Sequence, residues 1–220
     1  MPKNPKIFPI TITNPVVEDY CLSHSFKIPK ELMEIESYTK KNILAHRMLS
    51  NHIQAHFLIT LSYLMRPKKV LEIGTFTGYS AICLAQGLTN DGKIISIEKH
   101  PEFVSIAQNF FEKYNYKNIQ VIHSDGLEFV KQHKDLYDLI YLDADKERYK
   151  EYLIHLLPLL EEKGVMIIDN TLWKGLVTEA AKEPVTRKIQ EFNEFLKTLE
   201  NQIFYSLMPI RDGITLILKK

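Results

Sequence analysis

The chain has 220 residues, with 28 Lys+Arg against 27 Asp+Glu, two cysteines and only eight glycines. A formal net charge of +1 gives no global attraction to nucleic acid or anionic lipid, and no apolar run approaches the roughly eighteen residues of a membrane span. Cys21 and Cys83 cannot build a disulfide framework or a four-sulfur zinc site, and no apolar signal core follows Met1, so a soluble cytoplasmic globule is expected.

Residues 1–16 hold Pro2, Pro5, Pro9 and Pro15 and predict an extended arm. Val17 to Arg66 is helical in pattern, with breaks near Pro29 and Ser50. Within it Ile53, Phe57, Leu58, Leu61 and Leu64 space at three and four, which predicts the buried stripe of one helix. Pro67 ends this region. Residues 1–66 are therefore read as an arm and helices belonging to the same domain as a core over 67–220.

Beyond Pro67, strands are predicted at Lys69–Gly74, Lys93–Glu98, Ile119–His123, Tyr137–Asp143 and Gly164–Asp169. Helices fall between them over 79–88, from Pro101, near 126–133 and over 146–160. Five strands alternating with helices argue for a parallel sheet covered on both faces. After a helix near 184–200 come strands at Ile203–Pro209 and Ile214–Leu218, joined by the tight Arg211-Asp212-Gly213 turn. Such a pair must be antiparallel. The expected fold class is α/β, with a seven-stranded, mostly parallel sheet, one antiparallel strand and a helical N-terminal segment.

Glycine is scarce, about half the roughly fifteen that average usage gives. Two of the eight sit in Glu72-Ile73-Gly74-Thr75-Phe76-Thr77-Gly78-Tyr79-Ser80, where the first strand turns into its helix. Glycine there lets backbone approach a ligand, and the helix start offers free N–H groups. Phe76 stands where a dinucleotide fingerprint needs its second glycine, and no Gly-Lys-Ser/Thr follows, so neither phosphate cradle is present. Glu98 ends the second strand and suits two ribose hydroxyls. Asp125-Gly126 follows the third and suits the edge of a base.

Glu-Ile-Gly-x-x-x-Gly-Tyr-Ser, with Asp143-Ala144-Asp145-Lys146 and Asp169-Asn170-Thr171-Leu172-Trp173 further on, resembles the caffeoyl-CoA and catechol O-methyltransferases. The resemblance runs from about residue 30 to the C-terminus and includes Asp212-Gly213-Ile214. It implies a Rossmann-like methyltransferase fold, S-adenosylmethionine as methyl donor with S-adenosylhomocysteine as product, a divalent cation and a homodimer. It also implies cofactor contacts at Met48, Ser50, Glu72, Gly74, Ser80, Glu98, Gly126, Asp143 and Asp145, those of Met48 and Gly126 through backbone.

Asp143, Asp169 and Asn170 emerge from apolar strand ends, where carboxylates are costly unless something binds them. They offer oxygen only, which suits a hard cation, Mg²⁺ first and Ca²⁺ or Mn²⁺ as substitutes. Two neighbouring hydroxyls of a small phenolic substrate would fit the open positions of such a site, and the cation would lower the pKa of one of them. Lys146, three residues beyond Asp143, is either a general base or a surface lysine neutralising Asp143 or Asp145. The resemblance to the catechol branch implies the base. Trp173 would wall the acceptor pocket or plug the loop. Lys174 stands where the plant enzymes carry a substrate-contacting asparagine.

The i, i+4 pair His52/His56 has zinc-ligand spacing but no third ligand and reads as a polar helix stripe. Phe110, Phe111, Tyr114 and Tyr116 read as core rather than as a stacking platform. Ser80 lacks the glycine-bounded elbow of a hydrolase nucleophile. Two alternatives to a small-phenol enzyme stay open. One is a tRNA methyltransferase acting on a hydroxylated uridine, which Lys174-Gly175 would suit. The other is a cofactor-fold binding module without catalysis.

Overall fold

The computed structural model describes residues 12–220. Most of the proposed arm lies outside them. Helix α1 (Pro15–Ser23) begins at Pro15, because the Asn14 side chain caps the Val16 N–H and proline is tolerated in a first turn. Helices α2 (Lys30–Asn42) and α3 (His52–Met65) follow, separated by a non-helical stretch with one 3-10 turn at His46–Met48.

The core alternates β1 (Lys69–Ile73), α4 (Tyr79–Ala85), β2 (Lys93–Glu98), α5 (Pro101–Lys113), β3 (Ile119–His123), α6 (Gly126–Gln132), β4 (Tyr137–Leu142), α7 (Tyr149–Leu156) and β5 (Leu160–Ile168). It ends with α8 (Pro184–Lys197), β6 (Ile203–Met208) and β7 (Ile214–Lys219). The strand order is β3-β2-β1-β4-β5-β7-β6, with β7 antiparallel to both neighbours and the first five strands parallel. The expected sheet is therefore present, with a single reversed strand.

One apolar layer joins α2–α5 to one sheet face through Leu58, Ile82 and Phe111; the other joins α6–α8 to the opposite face through Leu153, Leu156 and Phe192. Phe110 and Phe111 are core, as their aromatic cluster suggested, and the Tyr114 and Tyr116 hydroxyls donate to Glu34 and Glu31 of α2.

Three local expectations need correction. The buried stripe of α3 is Gln54, Ala55, Leu58, Ile59 and Ser62; Ile53, Phe57 and Leu61 are only partly buried, and Leu64 is 77% exposed. The helix turns its polar Gln54 and Ser62 inward because each has a buried partner, Asp169 for one and the Leu84 carbonyl for the other. The helix expected over 146–160 is α7 flanked by 3-10 turns at Lys146–Arg148 and Leu157–Leu159, since Pro158 cannot continue an α-helix. Strand β5 starts at Leu160 rather than Gly164, pairing Leu160 with Tyr137 across an irregularity in register.

Candidate active site

The carboxyl ends of β1, β2, β4 and β5 bring the proposed residues to one edge of the sheet. Gly74, at φ 104°, lies so close to β4 that a β-carbon on it would fall on the Asp143 carbonyl oxygen. Glycine is required there on both counts, backbone conformation and space. The first turn and the Asp143 strand end thus touch.

Glu72 is fully buried and accepts from the Ser80 hydroxyl at 2.6 Å and from the Ser96 hydroxyl, which faces it in register on β2. Burial pushes its pKa up to about 7; the two serines pull it down, while the charges of Asp143 and Glu98 add to the rise. Glu98 accepts the Phe76 N–H at 2.8 Å and the His100 N–H at 2.9 Å, one on each oxygen, so it stays oriented with lone pairs to spare. Gly126 opens α6 behind the Asp125 cap. Ser50 is buried just ahead of α3, while Met48 is exposed on its 3-10 turn. Asp145 is exposed and caps the next turn through the Glu147 N–H.

Asp143 and Asp169 follow the paired residues Leu142 and Ile168 on adjacent strands. Asp143 is half-buried and pairs with Lys146 Nζ at 2.6 Å. Asp169 is fully buried: its Oδ1 accepts the Asn170 N–H at 2.7 Å, and its Oδ2 accepts from Gln54 and from the Tyr141 hydroxyl at 3.1 Å. Burial pushes the Asp169 pKa up to about 6, and the nearby Asp143 charge adds to this; Arg211 and Lys146 oppose it. Asn170, at φ 57°, donates its side-chain N–H to Asp212 at 3.3 Å, which leaves its amide oxygen as an acceptor.

Among the described residues no three His, Cys, Asp or Glu side chains are grouped to hold a metal by themselves. A cation here needs the Asn170 amide as a third donor. That set of two carboxylates and one amide oxygen fits a hard divalent ion, and a buried carboxylate facing another is relieved by one.

Trp173, Lys174 and Gly175 continue the loop with three successive positive φ angles of 45°, 57° and 78°. A left-handed tryptophan is uncommon and marks a backbone held by its surroundings. Trp173 is half-buried, with Lys174 Nζ 5.3 Å from its ring centroid. The loop is gripped from the turn before β7 and from α8, where Thr171 N–H donates to the Gly213 carbonyl, Lys174 N–H to Asp212 and the Asn193 amide to the Thr171 carbonyl.

Gln54, Arg211 and Asp212 were not expected in this cluster. Asp212 belongs to the Asp212-Gly213-Ile214 stretch of the resemblance, whereas Gln54 lies off the apolar stripe that the spacing predicts and Arg211 reads as a turn residue. His52 and His56 take no part: His52 pairs with Glu36 at 2.8 Å, and His56 lies 2.7 Å from the Phe26 carbonyl.

A family model described as O-methyltransferase matches residues 22–220. A probable caffeoyl-CoA O-methyltransferase 2 from Dictyostelium discoideum is 32% identical over 215 residues, covering 94% of this chain and 92% of that one. Caffeoyl-CoA O-methyltransferase 2 from Petunia hybrida is 32% identical over 200 residues, covering 85% and 81%. Among solved structures, the SAH-bound methyltransferase PaMTH1 of Podospora anserina superposes with a TM-score of 0.87 at 25% identity, over 100% of this chain and 98% of that one. The SAH complex of a Bacillus cereus O-methyltransferase gives 0.82 at 25% identity, over 93% and 97%.

Proposed function

Because this chain belongs to the O-methyltransferase family, we propose that it methylates one hydroxyl of a small aromatic vicinal diol with the help of a divalent cation. It is an S-adenosylmethionine-dependent O-methyltransferase. The observation that carries the finer reading is the oxygen-only set at the tips of β4 and β5, with Lys146 on Asp143, directly beside the Gly74 turn.

In this reading Glu72, buttressed by Ser80, takes the methionine ammonium and Glu98 the ribose hydroxyls. The backbone of Met48 and Gly126, with Gly74, Ser50 and Asp145, lines the rest of the cofactor. Asp143, Asp169 and Asn170 hold the cation, which when bound supplies the Lewis acidity that eases loss of a hydroxyl proton. Lys146 receives that proton. The freed oxygen bonds to the methyl carbon as the carbon–sulfur bond breaks and its electron pair stays on sulfur, giving S-adenosylhomocysteine. Trp173 walls the acceptor, and Lys174 contacts its far end.

Exposed apolar side chains on α1 and α3, among them Val16, Tyr20, Tyr63 and Leu64, support pairing with a second copy. Free Cys21 and Cys83 suit a reducing cytoplasmic setting. No helix among the described residues is long and apolar enough to cross a membrane.

The test offers methyl-labelled cofactor and Mg²⁺ with either a catechol panel or undermodified tRNA, with and without chelator. Label on the catechols that disappears with chelator is expected. Label on tRNA alone would overturn the small-phenol reading, and chelator-insensitive transfer would overturn the metal.

A further inference from the structure

Arg211 is an unusual residue for its place. Its backbone lies in the left-handed region at φ 50°, which a long side chain disfavours, and it is only 5% exposed. A buried guanidinium must be hydrogen-bonded to be tolerated. One terminal nitrogen donates to the Gln54 Oε1 at 2.6 Å, and the other donates to the Leu49 carbonyl at 2.9 Å. The Gln54 Oε1 also accepts the Asn51 N–H at 3.3 Å in the capping box of α3. With that oxygen engaged twice, the Gln54 amide nitrogen faces Asp169 and donates to its Oδ2.

The consequence is a count of lone pairs. An ionised carboxylate has about four acceptor sites, two on each oxygen. Gln54 and Tyr141 fill Oδ2 of Asp169, and the Asn170 N–H takes one site on Oδ1. One site on Oδ1 stays open. The next residue of the same turn, Asp212, fixes the Asn170 amide.

We propose that Arg211 and Gln54 act as a positioning pair, in which Arg211 locks the Gln54 amide so that Asp169 presents Oδ1 alone to a divalent cation. This rests on the reading of Asp169 as a cation ligand. Through the Leu49 carbonyl the same guanidinium steadies the backbone on one side of Ser50, as Gln54 Oε1 does through the Asn51 N–H on the other, so the pair serves both ligand sides. Partners that orient a ligand in this way typically change metal affinity by about 10–100-fold when removed.

Mn²⁺ binding, read as loss of the free-ion EPR signal, and S-adenosylhomocysteine binding by calorimetry test this on the whole protein. The variants are Asp169→Asn, Gln54→Leu, Arg211→Gly and the Gln54→Leu/Arg211→Gly double. Glycine accepts φ 50°, so Arg211→Gly removes the guanidinium without adding backbone strain, and it decides the question if Gln54→Leu does not fold. Each single variant should weaken Mn²⁺ by about tenfold or more, and the double by no more than the larger single effect, because both act through one amide. Arg211→Gly and Gln54→Leu should both also weaken S-adenosylhomocysteine, since each removes a hydrogen bond to a backbone neighbour of Ser50. Additive losses, or Mn²⁺ affinities within about twofold of the unaltered protein while Asp169→Asn abolishes binding, would overturn the pair and leave the metal reading standing. Mn²⁺ binding unchanged by Asp169→Asn would overturn both.

Discussion

The two halves of the site are built in contrasting ways. On the β1–β2 side the carboxylates are satisfied by neighbours in sequence: Ser80 and Ser96 reach Glu72 across 8 and 24 positions, and His100 and Phe76 reach Glu98 across 2 and 22. On the β4–β5 side Asp169 depends on Gln54, 115 positions away, and Gln54 on Arg211 at a separation of 157. A local turn can specify the first half nearly alone, whereas the second exists only when distant elements have docked. Gly74 is the seam between them.

The largest effect is therefore expected at that seam. Gly74→Ala places a β-carbon on the Asp143 carbonyl at a left-handed backbone position, and should abolish both cofactor and Mn²⁺ binding, with a visible drop in Tm. A variant that keeps either ligand at full affinity would show that the halves are less closely joined than their geometry states. Asp169→Ala should break one half only. Transfer falls to background, yet S-adenosylhomocysteine affinity measured by calorimetry stays within a few-fold.

Lys146→Met should lower kcat by about 10²–10⁴-fold, the usual contribution of a positioned base, with KM for the diol little changed. A rise in KM at constant kcat would instead make Lys146 a mere partner of Asp143. Glu98→Ala removes a carboxylate fixed by two N–H groups and should weaken S-adenosylhomocysteine by about 10–100-fold in the same calorimetric assay, without affecting Mn²⁺.

The smallest effect is a pH dependence on the Glu72 side, where stability and affinity run in opposite directions. The Glu72 pKa is raised from 4.5 to about 7, so the free protein carries this group protonated below that pH. Its contribution to folding is most favourable below about pH 4.5 and is lost as pH rises through about 7, and the Tm of the ligand-free protein should decline over that window. Affinity for the cationic methionine end should run the opposite way, falling about fivefold as pH drops from 7 to 6, because the carboxylate must ionise to pair with it. Glu72→Gln should remove the affinity trend and the part of the Tm decline between about pH 6 and 7, leaving below it the part that belongs to Asp169, whose pKa is also raised, to about 6. An affinity trend that persists would assign it to another group.

The same contrast explains what the amino-acid sequence discloses. Strand periodicity, the Gly74–Gly78 turn and the Arg211-Asp212-Gly213 reversal are short-range patterns, and the sheet with its single reversed strand follows from them. The convergence of Asp143 with Asp169 was legible because strand ends of a parallel sheet share an edge. The phase of α3 was not. Apolar spacing favours Ile53, Phe57 and Leu64, but hydrogen-bond partners just after β5 and in the turn before β7 draw Gln54 inward instead. Arg211 looked like a turn residue because its burial is created by the segment at Leu49, which no local pattern contains. The left-handed run at Trp173–Gly175 is likewise imposed by α8 and the β7 turn rather than by glycine content.

The wide separation of Gln54 and Arg211 also orders events during synthesis. Loop-closure entropy makes contacts across such spans late and slow to form. A nascent chain that has emerged only as far as α8 already contains every residue of the Glu72–Glu98 side, but Asp169 has no settled orientation until the β7 turn arrives. Cleavage before residue 211 would therefore leave the donor-binding turn intact in sequence and the chain without the grip on its buried aspartate.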